Sequence, residues 1–335
     1  MTIGVIANEL KDTGLAVARS LAEAVYARGG EAVLAAGADY MVSGGAQGGA
    51  RGAYDMDRAA FGECDVIICV GGDGTLIKAA RETLLLGRPI LGVNLGSFGY
   101  LTEVETSQIG VMLDRIFDRD YQIEERMMLS ITRESGAAEI QPEGGAADMM
   151  QSAGGADGFG CRREETALNE LAIGRGETPH VVRLQVFVNG EFFDTYPGDG
   201  ILISTPTGST AYSLSAGGPV IDPGLEALSI VPVCPHVIFS RPVLLAPDKV
   251  ITIAPISADG FFKASVSIDG FGAPPLRADE IIKIRRSEHV TKMVRFNADN
   301  FYVALKNKLY DTAHKFGSGA SRAACGDLAP TGRMY

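Results

Sequence analysis

The chain has 335 residues, 46% of them apolar, enough to fill two ordinary cores without disulfide or metal staples. Its formal net charge of −11 excludes a general nucleic-acid-binding surface, because such surfaces neutralise phosphates with lysine and arginine. Five cysteines at irregular spacing, with no Cys-x-x-Cys pair, fit a reducing compartment, and no apolar run reaches the length of a membrane span.

From the start of the chain, short apolar strands alternate with helical patterns. The strands are Ile3 to Ile6, Ala32 to Leu34, Val66 to Val70 and Ile90 to Val93, and the helices are Gly14 to Arg28 and Thr75 to Leu86. That alternation predicts an α/β N-terminal domain with a parallel sheet and helices on its faces. No leader pattern precedes Ile3, so a cytoplasmic location is expected. Beyond Met127 the pattern becomes a series of strands: Met128 to Arg133, Leu168 to Ile173, Val182 to Val188, Gly200 to Ser204, Val243 to Leu245, Val250 to Pro255, Phe262 to Asp269 and Glu280 to Arg285. This predicts an all-β second domain. Ser43 to Gly52 and Glu134 to Glu165 are rich in glycine and lack periodicity, and the second is expected to be a disordered loop. The tail from Phe316 also lacks a pattern, whereas Asn300 to Lys308 reads as a helix.

Two motifs carry chemistry. The buried strand Asp65 to Val70 runs into Gly71-Gly72-Asp73-Gly74-Thr75 and then a helix, an arrangement that aims backbone N–H groups and a positive helix end at phosphate oxygens. Asp73 is the odd residue there, because a carboxylate repels phosphates unless it handles a proton or a metal. By itself it fits equally a turn ahead of a Thr75 N-cap. The run Ser204-Thr205-Pro206-Thr207-Gly208-Ser209-Thr210-Ala211-Tyr212-Ser213-Leu214-Ser215-Ala216-Gly217-Gly218 has neither strand nor helix periodicity. It crowds hydroxyls and small residues around one aromatic, which suits a backbone brought close to a flat polar ligand.

Both motifs in this order resemble the NAD kinase family. The resemblance extends to Gly92-Val93-Asn94-Leu95-Gly96-Ser97-Phe98-Gly99-Tyr100-Leu101, to Leu168-Asn169-Glu170, to Asp199-Gly200 and to Cys234-Pro235-His236, from about Thr2 to about Asn307. The glycine-aspartate-glycine motif is shared with lipid kinases and phosphofructokinases, whereas the hydroxyl-rich run is specific. The resemblance implies a two-domain architecture: an α/β domain over 1–103, joined by the C-terminal segment 286–335, and a β-rich NAD-binding domain over 104–285. It implies transfer of the γ-phosphoryl group of ATP or polyphosphate to the 2′-hydroxyl of the adenosine ribose of NAD, with magnesium entering on the donor and no fixed metal cage. It also implies a homo-oligomer, a dimer or tetramer, with neither nucleic acid nor membrane as partner.

By the same resemblance Asp73 is the general base, and Gly71, Gly72 and Gly74 leave space for phosphates. Lys78 is a phosphate contact or an ordinary solvated lysine, and Arg81 follows it on the helix. Asn169 and Glu170 bind NAD, although the dipeptide alone also fits an Asx turn. Tyr100 and Tyr212 are expected against the adenine ring or in the core, with Thr210, Ala211, Ser213, Leu214 and Ser215 around Tyr212. Asp199 matches a ligand-binding aspartate; His180 and His236 are ligand contacts or structural. Two departures from the family pattern, Pro197 and Phe271, bear on how one end of the dinucleotide is held. A lipid or sugar kinase and a nonenzymatic NADP sensor are the rival readings. The first leaves the hydroxyl-rich run without a purpose, and the second leaves Asp73 without one.

Overall fold

A computed structural model describes residues 1–37, 57–96, 99–135, 164–176, 180–237, 240–256, 262–296 and 301–306. Strand β1 (Thr2–Asn8) is buried almost end to end, as a strand covered on both faces must be. It lies parallel between β2 (Glu31–Gly37) and β3 (Val66–Gly71), and β3 lies parallel beside β4 (Ile90–Asn94), which pairs with the short β5 (Val104–Glu105). Side-chain alternation then sets the layers. Ile3, Val5, Val66, Ile68, Leu91 and Val93 face helices α1 (Ala16–Tyr26) and α4 (Ile109–Phe117), which contribute Leu21, Val25, Leu113 and Ile116. Ile6, Ile67, Cys69 and Ile90 face α2 (Arg58–Gly62) and α3 (Asp73–Thr83), which contribute Phe61, Leu76 and Ala80.

The rest of the strands form a sandwich. They are β6 (Gln122–Ser135), β7 (Glu165–Ala167), β8 (Glu170–Gly174), β9 (Val182–Val188), β10 (Glu191–Gly198), β11 (Gly200–Ser204), β12 (Leu228–Val233), β13 (Val243–Leu245), β14 (Ile251–Pro255), β15 (Lys263–Ile268), β16 (Phe271–Arg277) and β17 (Glu280–Arg295). One sheet has the order β13-β12-β11-β8-β15-β16. The other runs β10-β9-β14-β17-β4-β3-β1-β2, with β6 beside β17 and β7 beside β6. Their facing surfaces enclose a single apolar core, with Leu129, Val186, Ile253 and Ile284 on one side and Leu171, Ile203, Ile230 and Ile268 on the other.

The parallel and antiparallel regions therefore share one continuous sheet, and β17 is the seam. Ile282 and Ile284 belong to the sandwich core, while Met293 and Val294 enter the two faces of the α/β region and Met293 pairs with Ile90. The expected strand Glu280 to Arg285 is only the first half of β17. A bulge against β6 between Arg286 and Val290 breaks the alternation and separates the two halves in sequence pattern. Among the elements that escaped the sequence reading are α4, β10 and β16. The spacing of Ile109, Met112, Leu113 and Ile116 is helical and was there to be read. Strands β10 and β16 are edges that carry Pro197 and the Pro274-Pro275 pair, residues that mask a strand pattern.

Contacts divide the chain into Met1–Phe296 and Asn297–Tyr335; in the second, a helix is described over 301–306, inside the expected Asn300 to Lys308. Ser43 to Gly52, most of Glu134 to Glu165 and the tail from Phe316 lie outside the described residues. No described helix is long and apolar enough to cross a membrane.

Leu113 is wholly buried between α4 and the parallel sheet. Leu113→Ala is expected to cost about 2–5 kcal/mol, read as a lowered denaturation midpoint with an unchanged slope.

Candidate active site

The glycine turn is built by what it has no room for. Strand β3 ends at Gly71, where a Cβ would lie 2.3 Å from the Thr75 hydroxyl oxygen, and Gly72, in extended conformation, is the N-cap of α3. Thr75 is wholly buried and clasps the turn: its Oγ1 accepts the Gly72 N–H at 3.4 Å and the Asn8 Nδ2–H at 3.2 Å. The helix therefore begins at Asp73, two residues before the expected Thr75. Gly74 is exposed with open space beside it.

Asp73 is already engaged. Its Oδ2 accepts the Tyr100 N–H at 2.7 Å, and its Oδ1 accepts the N–H groups of Leu101 at 3.1 Å and Thr102 at 3.2 Å and the Thr102 hydroxyl at 3.3 Å. A Cβ at Gly99 would lie 1.9 Å from Asp73 Oδ1, so only glycine lets the 99–102 backbone wrap the carboxylate. Burial, together with the Asp73 charge, raises the Tyr100 phenol above its ordinary value. Ser97 and Phe98 lie outside the described residues.

The hydroxyl-rich run divides its hydroxyls between two jobs. Ser204, Thr205 and Ser209 are wholly buried and hold the loop itself. Thr205 Oγ1 donates to the Leu168 carbonyl at 2.5 Å and accepts the Gly208 N–H at 3.1 Å, while Ser209 Oγ donates to Pro206 O at 2.6 Å and accepts the Ile221 N–H at 3.0 Å. At Gly208 a Cβ would meet the Asn169 carbonyl oxygen at 2.2 Å, so the run is pressed onto the Asn169-Glu170 backbone. Tyr212 begins the one-turn helix α5 (Tyr212–Ser215) and is 47% exposed, which places it outside the core. Thr210, Ala211 and Leu214 are half-buried, Ser215 is exposed, and Ser213 is buried with its hydroxyl lacking a protein partner.

Asn169 and Glu170 are held from below by Asp269. Its carboxylate accepts the N–H groups of Leu168 at 2.9 Å, Asn169 at 2.7 Å and Glu170 at 3.1 Å. Arg81, on α3, reaches the same place. Its Nη1 donates to the Ile268 carbonyl at 3.1 Å, its Nε lies 3.8 Å from Asp269 Oδ2, and its guanidinium stands 5.6 Å from the centre of the Phe271 ring. Glu170 is itself buried, and one of its carboxyl oxygens, Oε2, has no protein partner. Burial and the Asp269 charge push its carboxyl up to about 8, against a pull from the Tyr212 N–H. Asp269 is also pushed up by burial, and Arg81 and three backbone N–H groups pull it back. Of the two, Glu170 has fewer donors to offset its burial.

A second bridge crosses the site. Arg126, 3% exposed, donates to Thr207 Oγ1 at 3.3 Å and to Glu124 Oε2 at 2.8 Å. Arg295 donates to the same Glu124 oxygen at 2.7 Å and to the Leu101 carbonyl at 3.1 Å. Burial works to raise the Glu124 carboxyl, but Arg126 and Arg295 outweigh it and hold it below the usual range. Three side chains thus connect the loop wrapped on Asp73 to the hydroxyl-rich run. Sequence reasoning missed this bridge and the Arg81–Asp269 contact. Asp269-Gly270 is nevertheless a hairpin signal, and both residues have positive φ between β15 and β16.

The other candidates lie elsewhere. Lys78 is buried on α3. Asp199 pairs with Arg175 at 3.4 Å, at the end of β11 opposite Ser204, and five residues of strand put about 16 Å between them. His180 is exposed just before β9, and His236 is exposed with its N–H on the Pro197 carbonyl at 2.8 Å. Among the described residues no three His, Cys, Asp or Glu side chains gather as a metal site.

The chain matches the ATP-NAD kinase N-terminal domain over residues 3–121 and the ATP-NAD kinase C-terminal domain over 168–296. It is 34% identical to an NAD kinase of Acetivibrio thermocellus over 311 residues, 93% of this chain and 98% of that one. It is 40% identical to an NAD kinase of Geobacter metallireducens over 247 residues, 73% of this chain and 78% of that one. Two solved structures share the fold. A yeast NADH kinase complexed with NADH has a TM-score of 0.69 at 18% identity, covering 97% of this chain and 90% of its own. An Archaeoglobus fulgidus NAD kinase in complex with ATP has a TM-score of 0.65 at 23% identity, covering 92% and 99%.

The raised Glu170 carboxyl has a stability signature. The folded protein keeps this proton up to about pH 8, whereas an ordinary glutamate releases it near 4.5. Its contribution is therefore complete below pH 4.5 and is lost as pH rises through about 8. Chemical denaturation across this window should show wild type losing stability relative to Glu170→Gln; parallel pH profiles would contradict the assignment.

Proposed function

The chain belongs to the NAD kinase family, and on that footing we propose that it transfers the γ-phosphoryl group of ATP to the 2′-hydroxyl of the adenosine ribose of NAD, giving NADP. The observation that carries this reading is the junction of two loops in one unit: the glycine turn of α3, and the hydroxyl-rich run seated on Asn169-Glu170. Arg81–Asp269 and Arg126–Glu124–Arg295 join them. The lipid or sugar kinase reading gains no support from the relatives, which are NAD kinases along most of their length.

In this mechanism the donor, carrying its magnesium, lays its phosphates against the N-terminus of α3, where Gly74 leaves the backbone open. NAD lies along the run, with Tyr212 on a flat face of the molecule and the buried Asn169-Glu170 pair supplying polar contacts. Asp73 takes the 2′-hydroxyl proton as the oxygen attacks phosphorus. The four donors on its oxygens fix its aim, and the attacking hydroxyl must share an oxygen with them or displace one. A base serves catalysis and gives a pure sensor nothing. Polyphosphate offers the same terminal phosphoryl chemistry and is included as an alternative donor. Asp199, remote from the run along β11, is reached by the nicotinamide end or by an NAD held across a subunit boundary, which is the role proposed for a dimer or tetramer. A cytoplasmic location is part of the same proposal.

Steady-state NADP formation tests the base. Asp73→Asn should lose about a hundredfold or more in turnover at saturating NAD and donor. Thr102→Val, which removes one hydroxyl donor but keeps the carboxylate, should lose less than about tenfold. If Asp73→Asn retains more than about a third of turnover, its carboxylate serves only to wrap the 99–102 loop.

Tyr212→Ala should raise the KM for NAD about tenfold or more while changing kcat little, since a stack on a base is worth about 1–3 kcal/mol in both ground and transition states. An unchanged KM would take Tyr212 off the ligand.

A further inference from the structure

We propose that Lys11 is a donor-phosphate contact of this enzyme, seated over the glycine turn by the loop that joins β1 to α1. The proposal rests on the NAD kinase reading above and adds a residue that the motifs do not contain. Lys11 is exposed, and its ammonium nitrogen lies 2.9 Å from the point where a Cβ on Gly72 would stand. The absent side chain at Gly72 is thus what gives a cation its place against the N-terminal end of α3.

The loop that carries Lys11 is anchored at both ends. Asn8, at the end of β1, donates through Nδ2 to Thr75 Oγ1 at 3.2 Å, and its Oδ1 accepts the Leu10 N–H at 3.0 Å. Its carbonyl accepts the N–H groups of Lys11 at 3.0 Å and Asp12 at 2.8 Å. Asp12 is buried, and its two oxygens accept the Val17 and Ala18 N–H groups, each at 2.9 Å, at the start of α1. Lys11 therefore stands between a residue tied to the glycine turn and a residue tied to a helix. None of these anchors uses the Lys11 side chain, so the lysine can change while the loop remains.

Charge supplies the reason for the placement. A chain of net charge −11 repels a polyphosphate at long range, so donor binding depends on cations set beside the turn. Of the basic residues on α3, Lys78 is buried, 6% exposed, and Arg81 lies against Asp269 and Ile268. The backbone N–H groups at the helix end and an ammonium on the same side of Gly72 would share one phosphate between them.

The test uses the full chain with Lys11→Met and Lys11→Arg, each checked by circular dichroism, with Lys11→Gln replacing the Met variant if that one does not fold. Steady-state kinetics vary MgATP at saturating NAD and then NAD at saturating MgATP. Lys11→Met should raise the KM for MgATP about tenfold or more, leave the KM for NAD within about twofold, and be largely rescued in Lys11→Arg. An MgATP KM within about twofold of wild type, or an NAD KM that rises in step with it, overturns the assignment. So does an arginine variant no better than the methionine one. Calorimetric titration of MgATP alone separates this proposal from the reading beneath it. If wild type forms no NADP, the kinase reading fails, and Lys11 is still judged by whether the Met variant binds MgATP about tenfold more weakly, as proposed, or equally, which refutes it.

Discussion

The Asp269 side chain is fully buried, and its oxygens take what the fold offers: three successive backbone N–H groups at residues 168–170 and the guanidinium of Arg81. A buried carboxylate is tolerable only when it is satisfied in this way. The result is a fixed backbone at Asn169-Glu170, on which the Thr205 hydroxyl and the Gly208 N–H then build the hydroxyl-rich run. Because Arg81 comes from the same helix as Asp73, the charge on Asp269 also sets how the phosphate end of the site stands relative to the acceptor end. The raised Glu170 carboxyl follows in part from the same source, since it is buried beside that charge.

The site lies where the parallel strands end, the usual crevice of an open α/β sheet, but its far wall is a sandwich. Two different physical forces hold the walls together. Apolar packing joins them through β6 and β17, whose residues enter the sandwich core and the α/β cores alike. Ionic contacts join them nearer the chemistry, where Glu124 accepts from both Arg126 and Arg295. Packing sets the sheet, whereas the directed hydrogen bonds set the individual loops.

The motifs were legible because their residue types have few other uses. Gly71, Gly99 and Gly208 sit where no side chain fits, and a run of hydroxyls without periodicity has no packing explanation. The supporting residues were not legible, because each looks ordinary where it stands in the sequence. Arg81 reads as a solvated helix residue until Asp269, 188 positions away, is brought beneath it. Arg126 and Arg295 sit on strands whose pairing across a bulge no local pattern records. Some signals were present and passed over. Asn189-Gly190 and Asp269-Gly270, all at positive φ, mark the hairpins that create β10 and β16. The sequence pattern also does not separate the hydroxyls that build the loop, Thr205 and Ser209, from the rest of the run.

The position of β17 in the chain has a consequence for biosynthesis. Its residues complete the sandwich core through Ile282 and Ile284 and the α/β cores through Met293 and Val294. A ribosome extending the chain from its N-terminus therefore exposes β4, β6 and β14 as unfilled strand edges until synthesis has passed Arg295. Most of Met1–Phe296 is then already outside the exit tunnel, with apolar faces that have no partner. Neither half of the molecule can finish early, and both become whole with the addition of one strand.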